Sequence, residues 1–315
     1  MAQARATLLL PAARRFGTQA LSAAGALALG RADRVEGLGA GRRAQLLRHF
    51  QLVPNHWPIA ALTRQMDARD AAGAAWLRAD PCRVLPDMNG ARLLGYGDAL
   101  DLDAEDARQL LPALKPLFGD AGFTLDAPVP WRWYLRLPRE ARLPVFTEPD
   151  EALGTDLFDH LAEGSEGRRW RLLASEAQVV LHNHPWNARR QAAGRPPVNS
   201  LWFWGGGVLP DHVLTPHQRV HGVEDLCAAL AAAAGVRAAL PVRFAVEADD
   251  ALFDLTALRD LAVLDALWLQ PALAALRAGE LASLQLDDED GTTVAFVRSQ
   301  RWRFWRRPRA RLDGG

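Results

Sequence analysis

The 315-residue chain carries 37 Lys and Arg against 37 Asp and Glu, so its formal net charge is zero, and no global field marks a nucleic-acid binder. With 49% hydrophobic and 23% charged residues it has a globular balance, ample for two domains or one large α/β domain. Lys115 is the only lysine, and Cys82 and Cys227 stand far apart without a CxxC or Cys/His pair, which reads as reduced cytoplasmic thiols.

Residues 6–10 (ATLLL) are too short for a signal h-region and are expected to form a first buried strand, Thr7–Leu10. No apolar run approaches bilayer-spanning length, so the expected location is the cytoplasm, without a transmembrane segment. Residues 41–66 show helical spacing (Leu46, Leu47, Phe50, Ile59, Leu62) broken around Pro54 and Pro58. Asp70–Val84 runs into a strand with Pro81 expected near an edge or end. Asp101 and Asp103 are candidate N-caps for a helix over 104–118. In the strand Trp131–Leu137, Trp133, Leu135 and Leu137 share one face and Arg132, Tyr134 and Arg136 the other. Helices over 168–182, 223–234 and 256–277, and a hairpin turning at Asp290-Gly291, complete the pattern. Strands and helices interleave, which predicts the α/β class.

The segment His182–Gly207, HNHPWNARRQAAGRPPVNSLWFWGGG, delivers Asn187, Arg189, Arg190, Arg195 and Asn199 just before a buried strand ending in three glycines. Guanidinium forks and amides suit phosphate or carboxylate, although a solvated, salt-bridged helix face fits the same residues. His182 and Asn183 read as a helix C-cap before Pro185. The spacing of His182, His184, His212, His217 and His221 matches no standard zinc pattern, and DDEDG (287–291) reads as a hairpin turn rather than a metal site. The Arg- and Trp-rich stretch 298–311 could meet single-stranded nucleic acid or an anionic membrane. The favoured reading is a final strand packing Trp302 and Phe304, followed by a basic tail.

Several segments resemble, in order, those of the archaeal-type cofactor-independent phosphoglycerate mutases of the alkaline phosphatase superfamily. They are WPIAALTRQMDARDAAGAAWLRADPCRV, DLDAEDARQLLPAL, WRWYLRLP and HNHPWNARRQAAGRPPVNSLWFWGGG, together covering roughly residues 55–210. The short length, the WLRADP and NSLWFWGGG segments and the WRFWRR tail are similar to a proteobacterial group of phosphoglycerate mutase-like, RpfE-type regulatory proteins. The resemblance implies a reduced alkaline-phosphatase-like central sheet with helices on both faces, from residues 1–75 and 200–311, and an inserted α+β substrate-binding-like domain, 76–199. It also selects Arg78, Asn187, Arg190 and Asn199 as ligand-binding residues; for Arg78 a salt bridge to Asp80 is equally open.

The family chemistry requires two divalent metals held by aspartates and histidines and a serine or threonine nucleophile. Here the first strand runs into Pro11, Ala12 and Ala13 with no carboxylate, and no histidine follows His221. No catalytic residue, metal ligand or cofactor is therefore assigned. The sequence points to a catalytically degenerate relative that binds a small phosphorylated or anionic metabolite, or a partner protein, in a regulatory role. The alternative is an active mutase or phosphotransferase with divergent ligands to Mn or Mg. A second alternative is a nucleic-acid- or membrane-associated regulator using the tail, although the neutral net charge speaks against nucleic acid.

Overall fold

The structure, a computed structural model, describes residues 4–87, 90–223 and 225–313. The chain divides into two units: residues 1–55 with 212–315, and residues 56–211. The sequence reading drew the inserted domain at 76–199. The wider division follows from strand pairing, because Ala75–Asp87 pairs along Ser200–Val208 and a boundary at 199/200 would cut that ladder.

The first unit is built on a seven-stranded sheet in the order Arg237–Ala238, Arg219–His221, Ala251–Asp254, Arg5–Leu10, Ser283–Asp288, Thr293–Val297, Asp33–Val35. The first five strands are parallel and the last two antiparallel, so the sheet is mixed and the unit is α/β. Leu8 and Leu10 face a core with Leu29, Leu261, Leu264, Trp268 and Leu276, as period-two alternation along a buried strand requires. Leu261–Ala278 is the one described helical run long and apolar enough to cross a membrane by length and composition, which the sequence reading did not recognise; half of it is buried in this unit. The hairpin at Asp290-Gly291 forms between Ser283–Asp288 and Thr293–Val297 as expected. The expected final strand does not: after Val297 the chain makes a short 3-10 turn, and Trp302 and Phe304 are exposed.

The second unit is α+β. Its antiparallel sheet centres on Ala75–Asp87, paired with Ser200–Val208 on one side and with Arg132–Leu137 and Gly90–Tyr96 in succession on the other. Pro81 lies inside this central strand rather than near its edge or end. It is accommodated because pairing with Arg132–Leu137 ends at Arg78 and pairing with Gly90–Tyr96 begins at Cys82, so no partner strand stands between. One sheet face packs Trp133, Leu135 and Leu77 against Leu110, Leu114, Phe118 and Trp170 of the helices Ala104–Asp120 and Gly164–His182. The other face carries Trp76 and Tyr134 against Ala60 and Ala61 of the helix Ile59–Ala68. Asp103 caps its helix through a capping box with Asp106.

The three glycines do not end their strand, which runs on to Val208. They let other chain segments approach. A Cβ on Gly206 would lie 2.4 Å from Leu143 Cδ1, and one on Gly207 2.9 Å from Pro58 Cβ. Gly205 adopts φ +64° and sits against Ile59. Gly205→Ala is expected to cost about 1–3 kcal/mol in urea denaturation. An unchanged midpoint would show that neither the left-handed backbone nor the helix contact matters.

Candidate functional site at the sheet edge of the first unit

The residues singled out by the sequence are spent inside the second unit. Arg190, on the helix Trp186–Ala192, is 1% exposed. Its guanidinium pairs with Asp106 and donates to Leu100 O and, at 2.9 Å, to Pro196 O. Asn187 bridges Leu181 O, Val198 O and Val198 N at 2.8–2.9 Å, which ties the end of one helix to the strand entry. Asn199 bonds both backbone groups of Val84 at 2.8 and 2.7 Å. Arg78 forms a bidentate pair with buried Asp80 (2.8 Å for both bonds) and lies 5.1 Å over Trp204, whose Nε1 also donates to Asp80. For Arg78 the salt bridge left open by the sequence is the arrangement found. Arg195 meets Asp103 and Asp106, and Arg189 lies over Trp186. Apart from Arg189, which is exposed, these groups have internal acceptors, and those of Asn187, Arg190 and Asn199 tie neighbouring segments together.

A second cluster of buried charge lies at the carboxyl ends of the parallel strands in the first unit. Leu9 is in register with Asp254 on one neighbour and with Asp287 on the other, so both carboxylates emerge on one row across the sheet. Both side chains are fully buried. The short helix Arg42–Leu47 and the residues after it neutralise them. Arg42 Nη2 donates to Asp254 at 2.5 Å, and Thr256 Oγ1 donates to the other oxygen at 2.7 Å. Arg48 grips Asp287 through Nε and Nη2 at 2.9 and 2.5 Å. Between them, Gln45 accepts from Arg42 and donates to Leu10 O and Asp287 O, which locks the helix to the central strand. Bidentate guanidinium contacts of this kind are what a buried carboxylate needs to stay charged.

Asp287 also meets His49 Nε2 at 2.9 Å, and His49 Nδ1 lies 3.1 Å from His217 Nε2. Burial pushes Asp287 up, but the bonds from Arg48 and His49 outweigh it and hold the carboxyl below its usual range. An ionised Asp287 can only accept, so His49 carries its proton on Nε2. His217 Nε2 shares the bond to His49 Nδ1, and the other, buried nitrogen of His217, Nδ1, has no partner among the described residues. Burial and the neighbouring His49 lower His217 to about 4. Next to this chain Asp288 is raised to about 6, chiefly by burial, with the charge of Asp290 adding to it.

The residues present do not fit a two-metal centre. The two buried carboxylates face guanidinium groups, the histidines bond in a line rather than converge, and no group of three or more His, Cys, Asp or Glu among the described residues could hold a metal ion. His182 and His184 belong to the second unit, whereas His212, His217 and His221 belong to the first. His221 is stacked on Phe253 and bonds Ala239 O. This cluster is hidden in the sequence because DDEDG reads as one turn, whereas Asp287 and Asp288 end a buried strand and the turn itself is Glu289-Asp290, closed by Gly291 N donating to Asp288 O. The signal was present in two apolar runs, ALFD and SLQLDD, that each close on aspartate.

Comparison with known proteins gives partial matches. No family model matches the chain. The chain is 28% identical over 127 residues to a probable 2,3-bisphosphoglycerate-independent phosphoglycerate mutase of Geobacter sulfurreducens, covering 40% of this chain and 32% of that protein. It is 29% identical over 123 residues to the corresponding mutase of Methanosarcina barkeri, covering 38% and 30%. The chain thus spans about a third of the length of these curated relatives. Among solved structures, the cofactor-independent phosphoglycerate mutase from Thermoplasma acidophilum overlaps 94% of this chain and 89% of its own, with a TM-score of 0.41 and 15% identity. Over the matched sequence the chain is phosphoglycerate mutase-like.

Two experiments check these assignments. Arg190→Ala should destabilise the protein by roughly 3 kcal/mol, because Asp106 keeps only the partly exposed Arg195 as counter-charge and Leu100 O and Pro196 O lose their donor; unchanged stability would leave Arg190 free for another task. The pH test uses the opposed shifts of His217 and Asp288. The unfolded chain takes up a proton on His217 below its ordinary 6.5, which the folded protein refuses down to about 4, so this contribution is lost as pH falls through that window. The folded protein keeps a proton on Asp288 up to about 6, against 3.8 for the ordinary carboxyl, so that contribution is lost as pH rises through that window. In urea titrations the advantage of wild type over His217→Gln should shrink from pH 6.5 to 4. The advantage of Asp288→Asn over wild type should grow from pH 3.8 to 6. Differences that do not vary with pH would refute both placements.

Proposed function

We propose that this chain is a phosphoglycerate mutase-like protein, of the short RpfE-type kind, in which two-metal phosphoryl transfer has been lost. It acts instead in the cytoplasm by binding a small anionic or phosphorylated metabolite, or a partner protein, in a regulatory role. The observation that carries this reading is the pairing of Asp254 and Asp287 with Arg42 and Arg48 at the carboxyl ends of the central strands. A divalent cation there would have to displace a guanidinium from a fully buried carboxylate and leave that arginine without its counter-charge. The first strand adds to this: it closes on Leu10, and the next three residues, Pro11, Ala12 and Ala13, carry neither a carboxylate nor a hydroxyl. The alternative, an active mutase with divergent ligands, has no such observation in its favour. Recognition of a metabolite through Arg78, Asn187, Arg190 and Asn199 would require these side chains to abandon internal partners, so the ligand is assigned to other surfaces.

The test is metal analysis of the purified protein together with a 2-phosphoglycerate/3-phosphoglycerate interconversion assay in Mn or Mg. The expected result is no stoichiometric metal and no turnover above background. Clear metal-dependent turnover would overturn the proposal.

A further inference from the structure

The first unit carries a feature that the sheet-edge cluster does not use. A cavity of 270 Å³ opens between the helix Ala23–Arg31, the helical run ending at Ala278 and the strand Thr293–Val297. Its walls are apolar (Leu27, Leu273, Leu276, Phe296), and its rim holds Arg31, Arg277, Arg298 and Arg301. Among the described residues none of these four arginines pairs with a carboxylate, unlike the buried arginines elsewhere in the protein. Arg31 donates from Nη1 to Arg301 O at 2.9 Å, while its Nε is buried without a partner. Arg277 reaches only a backbone carbonyl of its own helix, Leu273 O, at 3.2 Å. Arg277, Arg298 and Arg301 are exposed, so the rim offers positive charge to an anion arriving from solvent.

The adjoining segment points to the same partner. Arg301 lies 4.8 Å over the ring of Trp302, and Trp302, Phe304 and Trp305 are 65%, 80% and 68% exposed. They are not exposed because the segment is loose. Arg303 pairs with Asp33, Leu21 N donates to Ala310 O at 2.8 Å, Arg309 N donates to Ala26 O at 2.9 Å, and Arg34 Nη1 donates to Leu312 O at 2.8 Å. Large aromatics held in water on an anchored segment, beside half-exposed Leu27 and Val297, form an apolar surface that solvent does not reward.

We propose that this face, the arginine-rimmed cavity together with Trp302, Phe304 and Trp305, docks on anionic lipid. The arginines meet the phosphate and carboxylate of the headgroups, and the aromatics and the apolar cavity meet the acyl boundary, the combination that interfacial anchoring uses. Single-stranded nucleic acid would use the same charges and stack on the exposed aromatics, but it would leave the aliphatic cavity walls, Leu27, Leu273 and Leu276, without an apolar partner. The proposal stands independently of whether metal chemistry has been lost.

The test is co-sedimentation of the full chain with phosphatidylcholine vesicles and with vesicles containing about one third phosphatidylserine. Binding is expected only to the second and should weaken steeply with salt. Arg298→Gln with Arg301→Gln should reduce it roughly tenfold or more, and so should Trp302→Ala with Trp305→Ala, each with the wild-type melting temperature. Equal retention by both vesicle types, retention by neither, or capture by a single-stranded oligonucleotide without phosphatidylserine binding would overturn the proposal.

Discussion

Two carboxylates buried at the carboxyl ends of parallel strands cannot remain ionised without nearby positive charge, and this constraint organises the first unit. Asp254 and Asp287 flank the central strand on the same row, and one short helix supplies Arg42 and Arg48, with Gln45 between them bonded to the strand ends. The helix has no side-chain N-cap and is too short to be stable alone. Its place is set by these polar contacts and by the burial of Leu46. Charge balance here is achieved by the protein's own side chains, which is the physical basis of the proposed absence of two-metal chemistry.

The same device recurs in the second unit. Arg78 with Asp80, Arg132 with Asp67 and Arg190 with Asp106 are buried pairs that fasten strands and helices. Asp106 is a hub: it completes a helix cap and accepts from Trp186 and Arg195 besides Arg190. A chain with almost no lysine builds such joints readily, because the guanidinium fork can satisfy both carboxylate oxygens and still reach a carbonyl. Residues that look like an anion site when read as a string are therefore joints once their partners, from two to 115 positions away, are known.

Much of the fold was legible in the sequence. Period-two patterning located the strand around Trp133 and Leu135, the Asp103 cap located its helix, and Asp290-Gly291 located the hairpin. What failed depended on long-range pairing. Pro81 tolerates a central strand only because two partner strands leave a gap beside it. Gly205–Gly207 read as a turn, whereas they admit Ile59, Leu143 and Pro58 against a continuing strand. The sheet-edge cluster draws on segments near residues 42–49, 217, 254 and 287, which no local window brings together. For the tail, composition showed the arginines and aromatics but not that the aromatics stay in solvent while the backbone is pinned.

The central claim is that guanidinium groups, rather than cations, neutralise the two carboxylates at the carboxyl ends of the parallel strands. An anomalous-scattering map recorded at the manganese edge, from crystals of this protein soaked in Mn, tests it most directly. The account predicts no peak beside Asp254 or Asp287, with Arg42 and Arg48 still bonded to them. A peak coordinated by either carboxylate, with its arginine turned away, would contradict it.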